Sequence, residues 1–219
     1  MIEVPERLGW WRDRTGGAAW LESLPRLAEE CVQCWSLRLG EPFGQGHVSL
    51  TAPATLSDGG QAVLKLNFPE DESAYEADAL MHWRGEGAVR LLEVDRERNA
   101  LLIERADPGT SLWEVGVDEE AILIAASVMA RLWLRPPSDS HPFRLLADEA
   151  ERWTAQLRSD WEALGRPFEQ RLVDAAAAAA RELAGSQAAG AVACDRSEAD
   201  CRRAGVRRRV APPRPPLVD

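Results

Sequence analysis

Apolar residues recur at helical spacing over residues 18–34, where Trp20, Leu21, Leu24, Leu27, Ala28 and Cys31 fall on one face. Three short runs with the composition of strands follow, at residues 37–43, 48–56 and 61–67. Gly44-Gln45-Gly46 separates the first from the second, and Ser57-Asp58-Gly59-Gly60 turns the second into the third. Pro69 and the acids Glu70, Asp71 and Glu72 predict a helix start, continuing through Glu76, Ala79 and Leu80 to Trp83. Residues 89–94 and 100–104 read as two more strands, joined by a charged turn. After Ala106-Asp107-Pro108-Gly109 the period becomes helical, with helices predicted over 121–134, 143–164 and 168–183. Asp118-Glu119-Glu120 caps the first of these and Pro136-Pro137 ends it. The alanines at 175–180 need no reason beyond helix propensity. The pattern is α+β, with an antiparallel five-stranded sheet and its helix preceding a helical segment.

The 219 residues allow one large domain or a small pair. A formal net charge of −10 argues against general nucleic-acid or anionic-membrane partners. The charged N-terminus reads as lacking a signal peptide, and the longest apolar run, 121–130, is too short to span a bilayer. Cys31 and Cys34 form a C-x-x-C inside a helical pattern, and Cys194 and Cys201 have the wrong spacing for the other half of a zinc site. No metal ligand is assigned, and a cytoplasmic location is expected.

The third strand, Gln61-Ala62-Val63-Leu64-Lys65-Leu66-Asn67, carries the chain's single lysine amid many arginines. On a mostly buried strand such an ammonium points at an anionic partner, because an unpaired interior charge is costly. A lysine at a strand edge, reaching to water, is the alternative. The surroundings favour the first. A glycine turn lies between strands one and two, and a glutamate, Glu76, falls on the following helix. Backbone N–H groups of such a turn can approach a triphosphate, a lysine adds a point charge, and a helix glutamate fixes that lysine.

With these parts in order, the chain resembles the aminoglycoside and hydroxyurea phosphotransferases, the group that includes streptomycin 6-kinases. The resemblance is carried by Leu39-Gly40-Glu41-Pro42, Ala62-Val63-Leu64-Lys65-Leu66, Glu76-Ala77-Asp78-Ala79-Leu80, Gly87-Ala88-Val89-Arg90-Leu91-Leu92-Glu93 and Ala100-Leu101-Leu102-Ile103-Glu104-Arg105, then Pro108-Gly109-Thr110. It covers about residues 16–187. It implies a protein-kinase-like two-lobe fold with ATP between the lobes and a small-molecule alcohol as acceptor, and no nucleic-acid or membrane partner. Residues 1–108 would form the nucleotide-binding lobe and 109–187 part of the helical lobe. Lys65 would hold the phosphates and Glu76 would pair with it. Gly44 and Gly46 would cover the phosphates, and Glu104, Arg105 and Ala106 would form the adenine hinge.

The chain departs from that family at its chemistry. The resemblance implies an H-x-D-x-x-x-x-N loop and a later Ile-Asp-Pro aspartate that hold Mg²⁺ and orient the acceptor. No histidine follows His141 and no asparagine follows Asn99, so no catalytic or metal residue is carried over. Residues 188–219 are basic and proline-rich, without the interleaved aromatics of a nucleic-acid arm, and read as a disordered tail. In plausible G+C-rich codons, residues 191–199 shifted by one base can read Pro-Trp-Leu-Ala-Ile-Asp-Pro-Lys-Pro. The expectation is therefore that the catalytic-loop segment is lost between Gln187 and Ala188, that the frame is shifted afterwards, and that the chain has little or no turnover. The alternative function is a non-catalytic, pseudokinase-like module that binds nucleotide or protein.

Overall fold

The computed structural model describes residues 2–44, 46–71, 73–133 and 141–186. The described residues fall into two compact units, 2–133 and 141–186. Residues 188–219, including the shifted-frame segment, lie outside the described residues.

The first unit opens with a 3-10 helix, Glu6–Asp13, and α1, Gly17–Trp35. Next come β1 (Arg38–Leu39), β2 (Ser49–Thr55), β3 (Gln61–Asn67), α2 (Glu76–Trp83), β4 (Leu91–Asp95), β5 (Ala100–Glu104) and α3 (Asp118–Trp133). The five strands form one antiparallel sheet in the order β1-β2-β3-β5-β4, so β3 is central. Change from strand to helix falls beyond Glu104, as the pattern predicts, while the compact unit continues through α3.

Both faces of β3 are covered. Leu64 and Leu66 join Leu50 and Ala100 against Leu8 and Trp11 of the 3-10 helix and Trp20, Leu21, Leu24, Ala28 and Cys31 of α1. On the opposite face Val63, Leu101 and Ile103 meet Ala77 and Leu80 of α2 and Val89. The sequence pattern missed the 3-10 helix, whose Trp11 stacks near Phe68 (ring centroids 4.2 Å apart) and Trp20 (5.6 Å). Burial pushes the Cys31 thiol up to about 11, which makes it an inert core residue.

Two boundaries move for identifiable reasons. The first strand, predicted over 37–43, shortens to Arg38–Leu39. Gly40 N–H still donates to Pro53 O (2.8 Å), but Pro53 has no N–H to return the bond, so the ladder stops. The second helix begins at Glu76 rather than near Pro69. Ser73 Oγ donates to Phe68 O (2.7 Å) and Glu70 O (3.1 Å), and residues 69–71 bend and turn instead of starting a helix.

The second unit contains α4 (Leu146–Ala163) and α5 (Gln170–Ser186). Trp161 and Val173 are buried between them, and Trp161 Nε1 donates to Phe168 O at 2.9 Å. Glu149 is 3 % exposed and accepts hydrogen bonds from Arg144 Nη1 and Arg152 Nη2, each at 2.7 Å. Burial acts to raise its pKa, but the two guanidinium bonds outweigh that and hold it below the usual carboxylate range. A lowered folded-state pKa gives stability that is present above the unfolded value and lost as pH falls through the folded one. Urea unfolding followed by tryptophan emission should therefore weaken on acidification below about pH 4.5 less steeply in Glu149→Gln than in the unmodified chain. Equal slopes would contradict the assignment.

Candidate phosphate-binding site

Alternation along β3 puts Lys65 and Asn67 on the face opposite Leu64 and Leu66. Register then sets Thr51 across from Lys65 and Ser49 across from Asn67. Ser49, Thr51, Lys65 and Asn67 are each at most 6 % exposed and make a buried polar track across β2 and β3. Among the described residues, the other buried polar or charged residue is Glu149 of the second unit.

Glu76, in the first turn of α2, meets this track with both carboxylate oxygens. Oε1 accepts from the Lys65 ammonium, and Oε2 accepts from Asn67 Nδ2 at 2.7 Å. The Lys65 side chain is 6 % exposed and that of Glu76 26 %. A buried ammonium is tolerable where a carboxylate accepts from it, so the pair accounts for a lysine in the sheet interior.

Further contacts hold α2 over the sheet. Ala77 and Leu80 pack against Leu101 and Ile103, and Asp78 receives both Nη atoms of Arg96 (2.7 and 3.2 Å) from the β4–β5 turn. In the same turn Arg98 bonds Asp95 (2.6 Å) and reaches Glu30 of α1 (2.7 Å). Burial acts to raise the Asp95 pKa, but backbone and side-chain hydrogen bonds from Arg98 bring it below the usual range. Hydrogen bonds from Arg98 and Arg26 lower that of Glu30. The turn thereby links α1, behind the sheet, to α2, in front of it.

The remaining sequence-predicted residues make different contacts. Gly44 is exposed, and a Cβ there would meet nothing within 4 Å, so the local backbone does not require glycine. Gly46 is buried, and its N–H lies 3.5 Å from Phe43 O. Gln45 between them lies outside the described residues. The Glu104 N–H donates to Arg90 O (2.8 Å), and its carboxylate accepts from Arg90 N (3.2 Å) and Nη2 (3.4 Å). Arg105 is exposed and 3.4 Å from Gln61 Oε1, and Ala106 follows at the end of β5. Asn67, Thr51 and Ser49 had no role in the sequence reading. For Asn67 the signal was present, since it shares the parity of Lys65 on β3.

Among the described residues, no group of three or more His, Cys, Asp or Glu side chains is placed to hold a metal ion. No helix among them is long and apolar enough to cross a membrane.

An antiparallel five-stranded sheet, with a central-strand lysine ion-paired to a glutamate of the next helix, defines a kinase-like α+β fold. Residues 35–192 match the model of the aminoglycoside/hydroxyurea antibiotic resistance kinase family, and the chain belongs to that family. It is 34 % identical over 188 residues to a streptomycin 6-kinase of Streptomyces glaucescens, covering 84 % of this chain and 61 % of that protein. A streptomycin 6-kinase of Streptomyces griseus is 33 % identical over 187 residues (84 % and 60 %). A hydroxyurea phosphotransferase of Kitasatospora aureofaciens is 37 % identical over 189 residues (84 % and 55 %). The chain thus spans about three-fifths of the length of the streptomycin 6-kinases it matches.

Glu76→Ala removes the acceptor of two buried donors and should cost about 1–3 kcal/mol in urea unfolding. Arg96→Ala breaks a pair whose arginine is 54 % exposed and should cost no more than about 1 kcal/mol. The reverse ranking would mean that the Lys65–Glu76–Asn67 cluster does not hold α2 in place.

Proposed function

We propose that the first unit is the phosphate-holding part of an ATP-dependent phosphotransferase whose acceptor is a hydroxyl of a small molecule. The acceptor class is an aminoglycoside such as streptomycin, or hydroxyurea, following the names of the relatives. One observation carries the reading: a buried lysine on the central strand, held by Glu76 in the first turn of the next helix. In this arrangement Lys65 donates to phosphate oxygens, and Glu76 holds the ammonium in place. Bound ATP would supply the transferable phosphoryl group. Lys65 and Glu76 would hold its phosphates, with Gly44 and Gly46 alongside and the backbone at Glu104, Arg105 and Ala106 toward the adenine.

Transfer also needs a group that orients the acceptor and ligands that neutralise the developing charge. The 219 residues contain no H-x-D-x-x-x-x-N segment. Without that segment these residues are expected to give little or no turnover; the alternative is a pseudokinase-like module that holds nucleotide or a protein partner without chemistry. The shifted-frame reading of residues 188–219 is a separate matter, which sequencing the gene around the Ala188 codon decides.

Calorimetric titration with ATP should give saturable binding that weakens about a hundredfold in Lys65→Ala, the loss of a charge-assisted contact to phosphate. Incubation with ATP, Mg²⁺ and streptomycin should yield no phosphorylated product. Equal affinity in Lys65→Ala would contradict the phosphate site, and phosphorylated streptomycin would contradict the lack of turnover.

A further inference from the structure

The Lys65–Glu76 pair has a third member, and its geometry suggests a division of labour. Glu76 projects from the start of α2 with a quarter of its side chain open to solvent. A glutamate so placed has rotamers that turn its carboxylate away from the sheet, and ordering it costs conformational entropy. Asn67 has no such freedom. It is 6 % exposed, and its backbone N–H donates to Asn99 O at 2.9 Å. The next residue, Phe68, is packed between Trp11 and Trp20 with ring centroids 4.2 and 5.5 Å away. A carboxylate only accepts, so the Asn67 amide presents its nitrogen, and Nδ2 lies 2.7 Å from Glu76 Oε2. Swinging Glu76 outward would leave a buried amide donor unsatisfied.

We infer that Asn67 is a positioning residue for the phosphate-holding pair: it fixes one Glu76 oxygen so that the other faces the Lys65 ammonium. The strand repeat puts residues 65 and 67 side by side, and one carboxylate bridges both. Asn67 thus sets the orientation of Glu76, and Glu76 sets that of Lys65. The inference rests on the phosphate-site reading for its consequence in binding, but the orienting contact itself can be tested without nucleotide.

Because Lys65 is the single lysine, ε-13C-lysine labelling gives one side-chain signal, and amine-reactive reagents have one side-chain target. Asn67→Leu keeps roughly the volume and removes the donor, and Asn67→Ala guards against a misfit of leucine. Leu66→Val, on the opposite face of β3, serves as a control for general loosening. Both Asn67 variants should move the Lys65 resonance toward that of free lysine and raise its modification rate roughly tenfold, the loss of one charge-assisted hydrogen bond. ATP affinity should fall by a similar factor, while Leu66→Val lowers the melting temperature and leaves the Lys65 signal in place. An unchanged Lys65 signal in both Asn67 variants, or the same change in Leu66→Val, would overturn the inference. Undiminished ATP binding by Lys65→Ala would instead overturn the phosphate-site reading, leaving the orienting contact to be judged by the labelled lysine.

Discussion

The first unit depends on one buried ammonium. A lysine at the centre of a sheet covered on both faces needs a carboxylate beside it, because burying a charge without a partner is costly. Glu76 answers that need only if α2 starts at the right residue and lies across the β3–β5 face. The turns held by Ser73 set that start, and Ala77 and Leu80 supply the packing. The Arg96–Asp78 and Arg98–Asp95–Glu30 contacts carry the β4–β5 turn from one face of the sheet to the other.

This arrangement explains why the site is polar on one side of a single strand. Leu64 and Leu66 are fully buried against α1 and the 3-10 helix, giving β3 a rigid apolar back. Lys65 and Asn67 stand on the other side with Thr51 and Ser49 opposite them. A ligand that meets Lys65 meets a side chain whose partner is already in place. Pre-organisation of this kind lowers the cost of binding, because little of the site remains to be ordered by an anionic ligand.

Much of this was legible in the sequence, and the reasons differ by residue. The five strands and α1 follow from apolar periodicity, which tertiary packing reinforces. The pairing of Lys65 with Glu76 was legible from a single lysine on a strand ahead of a helix with an acid at position 76. The length of β1 was not legible, because it is decided by the missing N–H of Pro53 on a neighbouring strand. The start of α2 was misplaced because Pro69 and three acids imitate a helix N-terminus, while a serine hydroxyl draws the backbone into turns. The 3-10 helix was hidden because its buried residues, Leu8 and Trp11, are too few to make a period. Asn67 was visible as a polar residue in phase with Lys65, but its meaning lies in a contact with a residue on another element. The hinge at residues 104–106 was placed by resemblance alone, and the fold adds that the Glu104 N–H already serves Arg90.

The central claim is that Lys65, held by Glu76, is where a nucleotide's phosphates sit. A crystal structure of the chain with a non-hydrolysable ATP analogue tests it most directly. A phosphate oxygen is expected within about 3 Å of Lys65 Nζ, with the Glu76 carboxylate still on the ammonium's other side. An analogue bound with its triphosphate away from Lys65 would contradict it.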